Sequence, residues 1–236
     1  LQTITFKGTM DQWIACGGGA STFPATTKVI CAQNDTLNGS GTCDDGLTWT
    51  LDNNGKLTIS GSGEMADYYY DDNDIPTAPW AKYRSMIRSI EIRSGVTYIG
   101  AWAFEDTNIT SLTIPGSVKT IGRGSFSNNR YLANLTLNSG LEIIGVYAFG
   151  DCRIGSVVIP DGVTLIGDRA FAYCVRDDYV NGKWVDVGLT SITIPASVTH
   201  IWEKAFVDCD LLETVNFEGS EAQWKAIGGE DAGVPD

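Results

Sequence analysis

Apolar positions recur along most of this chain with a period near 22 residues, and that period organises the sequence more than any single helix or strand does. Reading forward from Ile90-Glu91-Ile92, the residues that end each alternating segment are Ile92, Ile114, Leu137, Ile159 and Ile194, separated by 22, 23, 22 and 35 residues. Four residues beyond them stand Val96, Val118, Leu141, Val163 and Val198. Seven beyond are Ile99, Ile121, Ile144, Ile166 and Ile201, and twelve beyond are Phe104, Phe126, Phe149, Phe171 and Phe206. A unit this short, with one alternating strand, cannot bury its own apolar edge; units must stack and share one core.

Within a unit, alternation such as Leu112-Thr113-Ile114 predicts a short strand. Pro115, Pro160 and Pro195 end it, because proline has no N–H to give to a ladder. Gly100, Gly122, Gly145 and Gly167 recur where the chain bends toward the Phe position. Trp202 takes that place in the last unit, which predicts a different bend there. Upstream, Leu47-Thr48-Trp49-Thr50-Leu51 and Lys56-Leu57-Thr58-Ile59-Ser60 alternate around Asp52-Asn53-Asn54-Gly55, a hairpin signature. Such a hairpin would cover the exposed edge of the first unit.

The strings SLTIPGSVKTIGRGSF (111–126), VVIPDGVTLIGDRAFAYC (157–174) and SITIPASVTHIWEKAFVDC (191–209) closely resemble the BspA-like class of bacterial leucine-rich repeats. The resemblance runs from about Thr36 to Ile227. SGTCDDGLTWTLDNNGKLTISGSGEM (40–65) and PWAKYRSMIRSIEI (79–92) are similar to the segment that opens such arrays. It implies a right-handed leucine-rich repeat solenoid, mainly β with short helical or irregular turns and an N-terminal β-hairpin cap. It also implies a bacterial cell-surface or secreted protein, since some members of the class are linked to adhesion to host matrix proteins or to other cells.

A longer repeat is superimposed. ITFKGTMDQW (4–13) matches VNFEGSEAQW (215–224) at an offset of 211 residues. Trp224 and Ile227, three apart, predict one amphipathic helical turn that closes the stack. The expected division is therefore 1–35 as the closing unit of a preceding array and 36–86 as the capping segment. Residues 87–214 form five repeats with an insertion at about 175–188, and 215–236 form the closing unit. On this reading the chain, which begins at Leu1-Gln2-Thr3-Ile4, is cut from a larger protein of tandem arrays. Packing of Thr3–Phe6 elsewhere as an added edge is the other reading.

Composition narrows the chemistry. With 43% hydrophobic and 19% charged residues the chain can bury a core. A net charge of −13 and the absence of any Lys/Arg run longer than two exclude a phosphate-backbone grip. No apolar run reaches the ~18 residues a membrane span needs. The single histidine, His200, leaves no Ser-His or Cys-His pair in prospect. The outward strand positions carry no pair of carboxylates for glycoside hydrolysis, and no Gly-Lys phosphate loop occurs. No catalytic residue, metal site or cofactor is expected. Cys152, Cys174 and Cys209 each lie fifteen residues past the strand end, where Thr107 and Asn129 stand earlier. They read as a buried ladder of small side chains, and Cys16 reads as core. Cys31 leaves open a bridge to Cys43 or to Cys16.

Two stretches depart from the repeat. Asp67-Tyr68-Tyr69-Tyr70-Asp71-Asp72-Asn73-Asp74 lacks the Gly and terminal Glu of an EF-hand loop, so it reads as a solvated loop rather than a calcium site. Its Tyr68, Tyr69 and Tyr70 form a candidate contact surface. The insertion places Asn181-Gly182 between Tyr179-Val180 and Lys183-Trp184, a strong hairpin signal, with Tyr179 and Trp184 as further candidate contacts. The reading that follows is a non-catalytic, monomeric interaction module with a protein or glycan partner. The alternative is a structural spacer or carbohydrate-associated module in a large multimodular cell-wall or polysaccharide-degrading protein.

Overall fold

Each unit of the repeat folds as one turn of a solenoid with three sides, and the side chains that set the period all point into its centre. The computed structural model describes residues 3–8, 10–13, 28–31, 39–44, 46–73, 75–180 and 183–235. One side is built from the strands Ser89–Ile92, Ser111–Ile114, Asn134–Leu137, Ser156–Val158, Ser191–Ile194 and Thr214–Phe217. Along this side the parallel ladder is interrupted after Ile92 and after Leu137, and within its sheets Ser111 is opposite Asn134, Ser156 opposite Ser191 and Ser191 opposite Thr214. Alternation decides the faces, so Leu112 and Ile114 are buried while Ser111 and Thr113 are exposed.

A second side is a six-stranded sheet of Gly63–Glu64, Val96–Ile99, Thr120–Ile121, Ile143–Ile144, Leu165–Ile166 and His200–Ile201, each paired with the next in that order. The repeating glycine follows these strands closely. A Cβ on Gly145 would lie 2.6 Å from the Ile121 carbonyl oxygen and one on Gly122 2.7 Å from that of Ile99. Trp202 corrects the expectation of a different bend. Its N–H donates to Ile166 O at 2.9 Å just as Gly167 N–H donates to Ile144 O at 2.8 Å, and its indole turns outward.

The third side is the Phe turn. Phe104, Phe126, Phe149, Phe171 and Phe206 are fully buried and stack face to face with centroids 5.2, 5.5, 5.4 and 5.9 Å apart. The spacing follows the ~4.8 Å between neighbouring strands, and each ring contributes roughly 2–3 kcal/mol of apolar burial. Two residues per unit reverse the chain by adopting left-handed φ: Trp102, Gly124, Tyr147, Arg169 and Lys204, then Asp106, Asn128, Asp151, Tyr173 and Asp208 four residues later. Nine of these ten are not glycine, at a strain of about 1 kcal/mol each. Bonds between units offset it, among them Phe104 N to Ser125 O, Phe126 N to Ala148 O and Phe149 N to Ala170 O at 2.8 to 2.9 Å.

The opening hairpin covers the first unit as the sequence predicts. Leu47–Leu51 pairs antiparallel with Lys56–Gly61, which then pairs in parallel with Ser89–Ile92. Trp80 continues the Phe stack, 5.3 Å from Phe104, and Trp49 and Tyr68 pack edge-on against it at 5.9 and 5.6 Å. At the other end Ser220 and Gln223 form a reciprocal capping box on the helix Glu221–Ala226. In the N-terminal segment, Thr3–Phe6 is followed by the helical turn Met10–Trp13 and pairs in parallel with Lys28–Cys31.

Candidate partner-binding surface

The groups with intrinsic reactivity are committed to the core. Cys152, Cys174 and Cys209 donate to the carbonyls of Phe126, Phe149 and Phe171 at 3.1, 3.4 and 3.0 Å. Asn129, the same position one unit earlier, donates to Phe104 O at 2.9 Å, and Thr107 donates to Asn129 Oδ1. This position pairs the Phe carbonyl of the preceding unit, and Asn129 also donates to Phe126 O of its own unit at 2.7 Å. Burial pushes the Cys152 thiol well above its ordinary range, and the Cys209 thiol together with burial does the same for Cys174. Cys43 is a free, buried thiol, so the bridge to Cys31 that the sequence left open does not form. Burial and the neighbouring Asp44 push it up to about 11. Cys16 lies outside the described residues. His200 is exposed, with Nδ1 at 3.1 Å from Thr199 Oγ1.

The described part of the acidic stretch, 67–73, forms a loop fastened to the first unit. Asp67 Oδ1 accepts from Tyr98 Oη at 2.6 Å and from Ala101 N at 2.7 Å. Asp71 Oδ1 accepts from the N–H groups of Asn73 and Ile75, both at 2.9 Å, an Asx turn whose backbone donors hold the carboxyl below its usual range. Both carboxylates thus serve the loop's own geometry. Tyr68 corrects the expected contact set: it is 8% exposed, packs edge-on against Trp80 and donates through Oη to Cys43 O at 3.0 Å. Tyr69 and Tyr70 are 63% and 40% exposed. Tyr70 Oη donates to Glu105, and burial of its ring together with that bond pushes the phenol up to about 12.

The insertion is an antiparallel hairpin, Val175–Val180 with Lys183–Gly188, in which Tyr179 is opposite Trp184. Leu189 N to Cys174 O at 2.8 Å closes its base. The tip Asn181-Gly182 and the side chains of Tyr179 and Trp184 lie outside the described residues. Near the base, Asp177 faces Asp186, and their shared hydrogen bond raises the Asp186 carboxyl.

The two projections leave the solenoid at different units. The loop is fastened beside Ala101 and Glu105, while the hairpin leaves the stack at Cys174, three units further on. At ~4.8 Å per unit that is about 15 Å along the solenoid. Among the described residues, five exposed large hydrophobic side chains escaped the sequence reading as contacts: Ile75, Tyr173, Val185, Val158 at 66% exposure and Trp202 at 57%. Val158 was detectable as the one apolar residue among the outward Ser, Thr and Asn positions, and Trp202 as the break in the glycine ladder.

No curated protein matches the chain. Among solved structures, a leucine-rich repeat protein from Eubacterium ventriosum is 27% identical and superposes with a TM-score of 0.64, over 79% of this chain and 45% of that one. A leucine-rich cell surface protein from Faecalibacterium prausnitzii is 23% identical with a TM-score of 0.51, over 96% of this chain and 50% of that one. The chain therefore spans about half the length of these relatives. The sequence model of the BspA-type leucine-rich repeat region matches in six copies over residues 81–176 and 184–227, more than half of the chain. The chain belongs to the BspA-type leucine-rich repeat family.

Proposed function

We propose that this chain is a non-catalytic interaction module of a bacterial surface or secreted protein, holding a protein or glycan partner in adhesion. Aromatic side chains on its two departures from the repeat make the contact. The observation that carries this reading is Tyr69, 63% exposed on a loop that hydrogen bonds fix to the solenoid. Such a ring offers large contact area at low cost in conformational entropy, because its backbone is already held. Tyr70 extends the same patch, and Tyr179 and Trp184 on the hairpin supply the second. Family membership supports an interaction role, and the surface location follows the family resemblance.

The test is binding of immobilised chain to a panel of matrix proteins, host glycoproteins and polysaccharides, run beside a Tyr69→Ala/Tyr70→Ala variant and a Tyr179→Ala/Trp184→Ala variant. Saturable binding that falls at least about tenfold in either variant, the size expected of an aromatic hot spot, is the expected result. Binding to nothing on the panel, or binding indifferent to both variants, would favour the spacer reading.

A further inference from the structure

We propose that the free edge of strand Thr214–Phe217, with the cleft beside it, receives an extended segment of the Lys28–Cys31 kind in parallel register, so that the closing unit is a strand-accepting junction. This surface is separate from the aromatic patches, and the argument stands whether or not those bind a partner.

The two ends of the chain hold two states of one unit. The match between 4–13 and 215–224 continues without a gap to Pro24 and Pro235, through Gly17-Gly18 and Gly228-Gly229. The described parts are built alike. Phe6 meets Trp13 with ring centroids 5.2 Å apart and Phe217 meets Trp224 at 5.5 Å. A Cβ on Gly8 would strike the Phe6 ring at 2.6 Å and Gln12 Oε1 at 2.5 Å; one on Gly219 would strike Phe217 at 2.5 Å and Gln223 Oε1 at 2.9 Å. Both strands alternate exposed and half-buried residues in the same phase.

They differ at one edge. Thr3–Phe6 carries Lys28–Cys31, with Thr3 opposite Lys28 and Phe6 opposite Cys31. Thr214–Phe217 is the outermost strand of its sheet among the described residues, paired only with Ser191–Ile194. Thr214 N and Glu218 N donate toward that neighbour, to Thr190 O at 3.2 Å and Ile194 O at 3.0 Å. In a parallel ladder alternate residues face opposite edges, so the N–H groups of Val215 and Phe217 face outward.

Handedness identifies this as the edge filled in the other copy. Parallel crossovers are right-handed. The connection from Ser191–Ile194 to Thr214–Phe217 carries Phe206 on the inner face, and the described start of the connection from Thr3–Phe6, the turn Met10–Trp13, lies on the same face with Trp13 against Phe6. Lys28–Cys31 therefore lies on the forward side of its unit, which for Thr214–Phe217 is the free side. A cleft of about 500 Å³ lies against this strand, with Val215, Phe217 and Trp224 in its lining beside Asn216, Glu221 and Glu230. Trp224 is half-buried, whereas its counterpart Trp13 is buried. Outward N–H groups beside the half-buried rings of Phe217 and Trp224 are what an added parallel strand pairs and covers.

The repeat register fixes the experiment, because Asp236 stands at the offset of Ala25. Extending the full chain past Asp236 with the sequence Thr-Thr-Lys-Val-Ile-Ser, a copy of 26–31 with serine for the thiol, places the strand opposite Thr214–Phe217. The control extension has proline in place of Val and Ile. The expected result is that hydrogen exchange at the Val215 and Phe217 amides slows by at least about tenfold in the extended chain, while the control matches the original. Equal exchange in all three chains would overturn the proposal. So would slowing of those amides in the original chain that tracks concentration and dimer formation by sedimentation, which would mean pairing between copies.

Discussion

The position fifteen residues past each strand end holds Thr107, Asn129, Cys152, Cys174 and Cys209, and the last four share one task. From Asn129 onward each donates to the Phe carbonyl of the preceding unit, at 2.9 to 3.4 Å. A purely apolar filler would not choose asparagine, and a thiolate site would not bury Cys152 and raise its thiol out of the ionisable range. The choice among Thr, Asn and Cys is therefore one of donors small enough to fit. Cys152→Ala removes one of the two donors to the buried Phe126 carbonyl, which keeps Asn129 Nδ2 at 2.7 Å, an expected loss of about 0.5–1.5 kcal/mol. Cys152→Ser keeps the donor in nearly the same volume and should lose less. Urea unfolding of the pair decides it: a serine variant less stable than the alanine variant would mean that filling volume, not donating, is what the site requires.

At the scale of the element, the recurring glycine sets how closely consecutive units approach. Gly145 has the backbone of the previous unit, Ile121 O at 2.6 Å and Gly122 C at 2.8 Å, where a Cβ would go, and backbone cannot give way as a side-chain tip can. Gly145→Ala is expected to destabilise by about 2 kcal/mol or more. Gly155, with nothing within 4 Å of its would-be Cβ, is the control; Gly155→Ala should be neutral or gain about 0.5 kcal/mol through the unfolded chain. Comparable losses in the two urea midpoints would refute the close-approach account. These repeating features were legible in the sequence because each ladder is one residue's environment copied unit after unit. What was not legible is what happens once. Tyr68 stood beside Tyr69 and Tyr70 in an acidic run, yet its partners are Trp80 and the Cys43 carbonyl, brought together only by the cap. Asp67 and Asp71 looked like idle charge until Tyr98, Ala101 and the Ile75 turn supplied their donors. Trp202 broke the glycine rule while the backbone kept its bond, since the free side of that turn lets an indole point out to solvent.

Across the whole molecule each unit touches chiefly its two neighbours, so stability is close to a sum of units and interfaces, and the ends are where opening starts. The two ends are closed by different means. At the N-terminal end Trp80 extends the ring stack and is itself boxed in by Trp49 and Tyr68, all buried. At the C-terminal end the helix Glu221–Ala226 has no buried residue, and closure rests on rings that are only half-buried, Phe217 and Trp224, and on backbone bonds from Ile201, Lys204 and Phe206 to Ile227, Asp231 and Ala232. Burial of aromatic rings contributes several kcal/mol where a backbone bond contributes about 1, so fraying should begin at the C-terminal end. Three equivalent amides report it, because Phe104, Phe149 and Phe206 each donate at 2.8 Å to the unit that follows. Hydrogen exchange should be slowest at Phe149, intermediate at Phe104 and fastest at Phe206. Trp80→Ala should bring Phe104 to the rate of Phe206 or beyond while leaving Phe206 unchanged. Exchange that is uniform across the three, or a Trp80→Ala effect that reaches Phe206 equally, would mean that the stack opens as a single cooperative block.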